Sequence, residues 1–322
     1  MAQGSEPVAR PVDVMALGAR PVALHRRPSW YARNERRLFL APAVLIVLVL
    51  SIFPLIASLG ISFLNWNFSN TKAGFTFVGL HNWIRLLSDA HFQKVFLNTV
   101  LYMVIGVPIQ YLCGLLLALI LSQEIRGRRF FRVLFLVPMM LSPVAVAYVL
   151  GRMTFNESQG PINDILAYAH IGPVHWLTQF PTAFITIALV DSWQWTPFML
   201  LLLLAGLQGI PTEVMEAAKL DAQSSWQIFR YVTFPLLLPW TVSAILLRSV
   251  EMLKIIDLVV VITGGGPGIA TESLTFYAYQ TGIRNLDLGY ASTISYTLLV
   301  LTVIVATIFL LAIRQAVNRA NA

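Results

Sequence analysis

The chain has 322 residues, of which 57% are hydrophobic and only 11% charged, and its mean hydropathy is +0.72. Soluble domains of this length carry about 25% charged residues, so the composition excludes an ordinary water-soluble enzyme and makes lipid the medium around most of the surface. The net charge of +7 would suit nucleic acid, but the basic residues stand beside apolar runs, at Arg26-Arg27, Arg33, Arg36-Arg37 and Arg126 to Arg132, with no aromatic residues interleaved along one face; they read as orientation signals for a membrane.

Residues 1–38 are polar, rich in Pro and Arg, and read as a mostly disordered cytoplasmic tail before a transmembrane domain over 39–322. The apolar run from Leu38 to Leu64 is too long for the core of a cleaved signal peptide and has no small-residue cleavage site directly after it, so it reads as a retained first span. A helix crosses a hydrocarbon core of about 30 Å with about 20 residues. Six stretches qualify, at 39–63, 97–121, 132–151, 183–205, 235–262 and 290–313. Cys113, the single cysteine, lies in the second, which excludes an intrachain disulfide or a cysteine-based zinc site. Pro138 and Pro143 make the third irregular, because each removes a backbone donor. An even number of spans puts both termini on one side. Roughly fifteen of the 22 Lys and Arg residues then fall on the side of the termini, against about five on the other, which predicts that both termini are cytoplasmic. Trp66, Trp83 and Trp176 fall in the external segments, at interfacial positions.

The fourth span carries Asp191 and Gln194, and the fifth carries Arg248, Glu251, Lys254 and Asp257, each three residues from the next. Ionisable groups at membrane depth face a cavity or a partner. Asp191 and Lys254 are expected at similar depth and are read as a pair. Two readings stay open, that these groups line a path or that they satisfy one another inside the bundle.

Between these spans, the cytoplasmic loop at about 206–234 has its own helical punctuation. Thr212 is placed to cap a first helix from Glu213 to Leu220, and Asp221-Ala222 to form the turn. Ser224 and Gln227 fit a capping box that opens a second helix running to about Val232, and Pro235 then ends the unit or opens the fifth span. Past the fifth span, the run Thr263-Gly264-Gly265-Gly266-Pro267 lacks the Lys-Ser/Thr of a phosphate loop and reads as a break. His81, His91, His170 and His175 are expected to have neither metal-ligand spacing nor acidic company, and no HExxH or GxSxG motif occurs, so no enzyme, metal or cofactor is expected.

The loop also contains, in order, Ile210-Pro211, Glu216-Ala217-Ala218, Asp221, Trp226, Phe229, Val232 and Pro235, with Pro239 beyond. Through these residues it resembles the EAA loop of ABC importer permeases of the maltose and glycerol-3-phosphate type. In chain order, Asn98-Thr99, Phe131-Arg132 with Pro138, Trp193-Gln194-Trp195-Thr196-Pro197-Phe198, the glycine run and Asp287 to Ser292 also carry the likeness. The resemblance implies an all-α, MetI-like six-helix permease bundle in a bacterial-type inner membrane. It implies as partners two ATPase subunits, a second homologous permease and an extracytoplasmic solute-binding protein, and as cargo a sugar, polyol or glycerol-phosphate-like solute. Glu216, Ala217, Ala218, Asp221, Trp226 and Phe229 are the expected ATPase-coupling residues. Asp191, Gln194, Trp195, Glu251 and Lys254 form the candidate translocation path, and Trp193, Tyr277, Tyr279 and Tyr290 are further aromatics able to stack on sugar rings. One departure stands out: the family usually has Gly after the Asp, and this chain has Ala222, which resists positive φ by about 1 kcal/mol. The alternatives are an ion-coupled secondary transporter, which would carry paired broken helices in symmetric halves, and a membrane scaffold.

Overall fold

The computed structural model describes residues 30–68, 74 and 76–320. The first 29 residues of the expected tail lie outside this set. Helix begins at Trp30, within the segment assigned to that tail. A first compact unit ends at Pro54 and a second starts at Leu55, so the division falls inside the first apolar helix. That helix, Phe39–Ser62, has the highest mean hydropathy of the candidate spans, 2.8, and changes to a π turn at Leu48–Ile52.

Among its described residues the second unit is mainly helical and carries a two-stranded hairpin in which Leu64–Asn65 pairs antiparallel with Thr76–Phe77. Its long apolar helices are Ala90–Ser122, Thr182–Gln208, Ser225–Met252 and Leu288–Ala312, hereafter the second, fourth, fifth and sixth spans. The third is broken: Arg128–Met140 and Pro143–Met153 meet at 92°. Pro143 cannot donate to the ladder, and the residue before a proline is pushed out of helical space. Ser142 is accordingly extended, with ψ of 131°, and the chain turns.

Hydropathy located the spans but misplaced several ends. The second starts at Ala90, seven residues before the expected 97, because Asp89 caps it through a bond from the His91 N–H at 2.9 Å. The fifth ends at Met252 and not at 262. Past it the chain leaves the helix, and the Ile255 carbonyl is met by the Ser273 hydroxyl at 2.5 Å. A short helical turn, Val259–Thr263, then stops at Gly264, whose φ of +64° is the left-handed cap that glycine adopts without strain.

The fourth span is the axis of the bundle, with 61% of its most apolar window buried, against 11% for the sixth. Lipid is as apolar as leucine, so close packing and hydrogen bonds hold such helices together. Gly114 lets the second span approach the fourth closely: a Cβ there would stand 2.5 Å from Met199 Cβ and 3.0 Å from the Leu200 backbone nitrogen. Tyr102 stacks on Phe184 with centroids 4.0 Å apart, joining the same two spans nearer their N-terminal ends.

Candidate functional site

Three chemically different regions are built on this frame. The first is the loop between the fourth and fifth spans. Its first helix is Thr212–Asp221, with Pro211 at the N-cap position and no side-chain cap, so Thr212 is not the cap that its sequence position suggested. Ala222 closes it at φ −92° and ψ 138°, ordinary extended backbone, so the turn needs no glycine. Ser224 does cap the second helix, accepting from the Gln227 N–H at 3.3 Å, but the Gln227 side chain accepts from the Gln223 N–H at 2.9 Å instead of closing a reciprocal box. Pro235 neither ends this helix nor starts a new one. Helix runs unbroken from Ser225 to Met252, with a π turn at Phe229–Thr233 taking up the misfit just before the proline.

The loop has two faces. Ala218 is buried, the Thr233 hydroxyl points at the Met215 sulfur 4.0 Å away, and Phe229 packs on the main core cluster. On the other face Leu220, Trp226 and Tyr231 are 88%, 69% and 73% exposed, and Trp226 stacks over Phe229 with centroids 5.5 Å apart. Glu216, Ala217 and Asp221 are exposed beside them.

The second region lies inside the bundle. Arg248 Nη2 donates to Asp191 Oδ2 at 2.5 Å, Arg248 Nε donates to Gln110 Oε1 at 2.6 Å, and Gln110 Nε2 donates to the same Asp191 oxygen at 2.6 Å. This closed triangle joins the second, fourth and fifth spans, and all three residues are buried. Trp195 covers the guanidinium, its ring centroid 4.9 Å from Arg248 Cζ. The expected Asp191–Lys254 pair is therefore not formed. Lys254 Nζ meets Glu251 Oε1 at 2.9 Å, with both side chains half exposed. Because the helix ends at Met252, Lys254 lies beyond it, and Arg248, a turn and a half earlier, is the cation that reaches the fourth span.

Of the candidate path residues, Asp191, Trp195, Glu251 and Lys254 border one cavity of about 110 Å³. Gln194 does not. It is buried and donates to the Leu141 carbonyl at 3.2 Å, meeting backbone at the break of the third span. Gln110 was missed in the sequence. Its signal was a primary amide in the middle of an otherwise apolar stretch, and such a group needs a partner in lipid.

The third region ties the segment after the fifth span to the second span. Asn98 donates to the Ile269 and Glu272 carbonyls at 3.1 and 3.2 Å, Thr99 Oγ1 accepts from the Leu274 N–H at 2.9 Å, and Tyr102 donates to the Thr271 carbonyl at 3.1 Å. Two histidines gain acidic company that the sequence did not show: His91 Nε2 lies 2.5 Å from Glu272, and His175 Nδ1 lies 2.9 Å from Glu157. Among the described residues no group of three His, Cys, Asp or Glu is placed to hold a metal ion. Tyr277 and Tyr290 both donate to Asp89, at 2.7 and 2.5 Å, so these aromatics are engaged in structure. Burial alone would raise the Asp89 carboxyl; the bonds from Tyr290 and Tyr277 and from the backbone outweigh it and hold the group below its usual value. At Glu157 burial likewise acts upward, but bonds from His175, from the Thr178 hydroxyl and from the Leu177 and Thr178 N–H groups bring it down to about 2.

Residues 110–321 match the family described as binding-protein-dependent transport system inner membrane component. The chain is 37% identical to the trehalose/maltose transport system permease protein MalF of Thermococcus litoralis, over 85% of this chain and 91% of that protein. It is 32% identical to the sulfoquinovosyl glycerol transport system permease protein SmoG of Agrobacterium fabrum, over 90% and 95%. Its fold is that of a chain in the crystal structure of a bacterial ABC transporter that imports the acidic polysaccharide alginate, with a TM-score of 0.77 at 18% identity over 88% of this chain and 97% of that one.

Proposed function

The chain belongs to the family of binding-protein-dependent transport system inner membrane components, and from that premise we propose that it passes a sugar-like solute inward, driven by ATPases docked on its 206–234 loop. It is a multi-pass membrane permease of an importer; the family is one of transport subunits that are not themselves enzymes. The matches do not favour the ion-coupled alternative.

The finer parts of the reading have separate supports. Relatives named for maltose, trehalose or a glycosylated glycerol favour a sugar, polyol or glycerol-phosphate-like cargo. The excess of Lys and Arg beside the 206–234 loop and the tails favours a cytoplasmic position for both termini. Two ATPase subunits, a second permease and an extracytoplasmic binding protein complete the proposed assembly. In it the exposed loop residues Glu216, Asp221 and Trp226 contact an ATPase, while Ala218 and Phe229 transmit its motion into the bundle. Asp191, Trp195, Glu251 and Lys254 then border the path where the solute passes.

The observation that carries this is the outward face of the loop. Leu220, between the fourth and fifth spans, and Trp226 and Tyr231, in the first two turns of the fifth, are all left exposed, an apolar patch at the loop end of the bundle. A tagged native protein, extracted in mild detergent and analysed by mass spectrometry, tests it. Recovery of an ABC ATPase with the unaltered chain and its loss with Glu216→Lys are expected. Retention of the ATPase by Glu216→Lys would remove Glu216 as a docking contact, and absence of any ATPase from a folded, monodisperse preparation would overturn the importer assembly.

A further inference from the structure

We propose that the groove between helix Arg128–Met140 and the loop-proximal end of the fourth span binds the phosphodiester headgroup of an anionic bilayer lipid, with an acyl chain lying along its leucines. Arg128 and Arg132 stand one turn apart on that helix. With the Gln208 amide turned so that its oxygen faces the neighbouring donors, Arg132 Nη2 and Arg128 Nη2 both donate to it, at 2.5 and 3.1 Å. Two guanidinium groups thus converge on one neutral acceptor. Their Nε atoms are buried and have no partner, and among the described residues neither arginine forms an ion pair. Like charges a turn apart repel, and a buried donor without an acceptor is costly. An anion at this point satisfies both needs.

The groove says which anion. It has a volume of about 200 Å³ and is graded: Arg132 and Gln208 form one end, and Leu136, Leu201 and Leu204 continue from it toward the middle of the membrane. Leu201 is 40% exposed, so the apolar end opens outward to where lipid lies. Free phosphate would use only the charged end. A phospholipid uses both ends in the right order, with its headgroup level with the start of one span and the end of another. Basic pockets between membrane helices take acidic headgroups in this way. Gln208 is the last residue of the fourth span, so the lipid would bridge the third span to the root of the 206–234 loop. The assignment of the lipid to the cytoplasmic leaflet rests on the orientation proposed above; the binding itself does not.

The test uses the intact importer, stripped of lipid in detergent and offered phosphatidylglycerol or phosphatidylcholine, with retained lipid measured by native mass spectrometry. The unaltered complex should retain phosphatidylglycerol at least about fivefold better. Arg128→Gln with Arg132→Gln should abolish the preference. Arg126→Gln with Arg129→Gln, an equal loss of charge at exposed positions, should leave it intact. If the first double variant fails to assemble, Arg132→Gln alone should at least halve the preference. Equal retention of the two lipids, or an undiminished preference in either groove variant, overturns the proposal. Displacement of phosphatidylglycerol by millimolar inorganic phosphate overturns the lipid assignment in favour of a free anion. Lipid retention is read whether or not an ATPase copurifies, so a failure of the coupling reading is seen separately.

Discussion

The Gln110–Asp191–Arg248 triangle and the 206–234 loop solve opposite problems. In the triangle three strongly polar side chains sit where water is scarce, and each finds its partner within the same chain. On the loop three large apolar side chains, Leu220 between the fourth and fifth spans and Trp226 and Tyr231 at the start of the fifth, are left mostly exposed by the chain. A satisfied buried network reports on how one subunit holds itself together, and an uncovered apolar face reports on another molecule. The contrast separates residues of architecture from residues of assembly without reference to any relative.

The comparison breaks most severely at Arg248. Replacing it with Met leaves the Asp191 carboxylate buried and uncompensated, and removal of one member of a buried pair costs about 3–5 kcal/mol. Arg248→Met is expected to lower the amount of folded protein in the membrane sharply, as measured by fluorescence-detected size exclusion in detergent. Arg248→Met with Asp191→Leu should recover part of the loss, because no unpaired charge then remains. Normal accumulation of the single variant would show that the triangle does not hold the bundle. Lys254→Met, by contrast, breaks only the half-exposed contact with Glu251 and should change stability by less than about 1 kcal/mol.

On the loop the expected effect moves from folding to assembly. Trp226 stacks on Phe229 but is 69% exposed, so Trp226→Ala should leave the melting temperature of the isolated chain within a few degrees. If it is an anchor in the ATPase interface, truncation costs about 2 kcal/mol of binding, roughly a thirtyfold rise in Kd. Titration of the detergent-solubilised chain with its ATPase measures both. Equal binding by the two proteins would move the docking surface elsewhere.

The division between architecture and assembly also explains what was legible in the sequence. The spans were, because burial in lipid depends on the apolar character of about 20 consecutive residues and on little else. The breaks were not. Neither Leu141-Ser142 nor Leu253 to Ile256 contains a Gly or Pro to mark the break, and the carbonyls freed there are met by Gln194 and Ser273, residues 53 and 18 positions away. The helical punctuation of the loop was legible at Ser224, where the cap is local, and not at Pro235, where a π turn absorbs the proline. The partner of Asp191 could not be read because it depends on where the fifth helix ends. Extending that helix to 262 made Lys254 a membrane-depth residue, and ending it at Met252 gives the role to Arg248.

Outside the membrane the same accounting predicts a pH response. Glu157 is held down to about 2 against an ordinary 4.5, because the folded 157–178 segment surrounds its carboxylate with donors. A group whose folded value is depressed contributes stability that is complete above the unfolded value and is lost as pH falls through the folded one. Protection factors of the Leu177 and Thr178 amides, from hydrogen exchange corrected for intrinsic rates, should stay constant from pH 7 to pH 5 and fall progressively between about pH 4.5 and 2. Glu157→Gln should show low protection throughout and no such step. A wild-type profile that is flat down to pH 2 would mean that the carboxylate does not organise this segment.

The smallest effect is expected at the position where the sequence departs from the pattern it resembles. Glycine after the Asp of the loop would be required if the turn needed positive φ, and then Ala222 would be strained and Ala222→Gly would relieve it. At φ −92° and ψ 138° Ala222 already sits in ordinary extended space, and its N–H completes the first helix by donating to the Ala218 carbonyl at 3.0 Å. Glycine would gain nothing from the turn and would add conformational freedom to the unfolded chain, a loss of about 0.5–1 kcal/mol. Ala222→Gly is therefore expected to lower loop stability slightly and to leave transport-coupled ATP hydrolysis within about twofold, since the exposed face made by Leu220 and Trp226 keeps its backbone. A clear gain in coupled hydrolysis on Ala222→Gly would show that the loop adopts a left-handed turn when the ATPase is engaged, and that the conformation seen in the isolated chain is its undocked state.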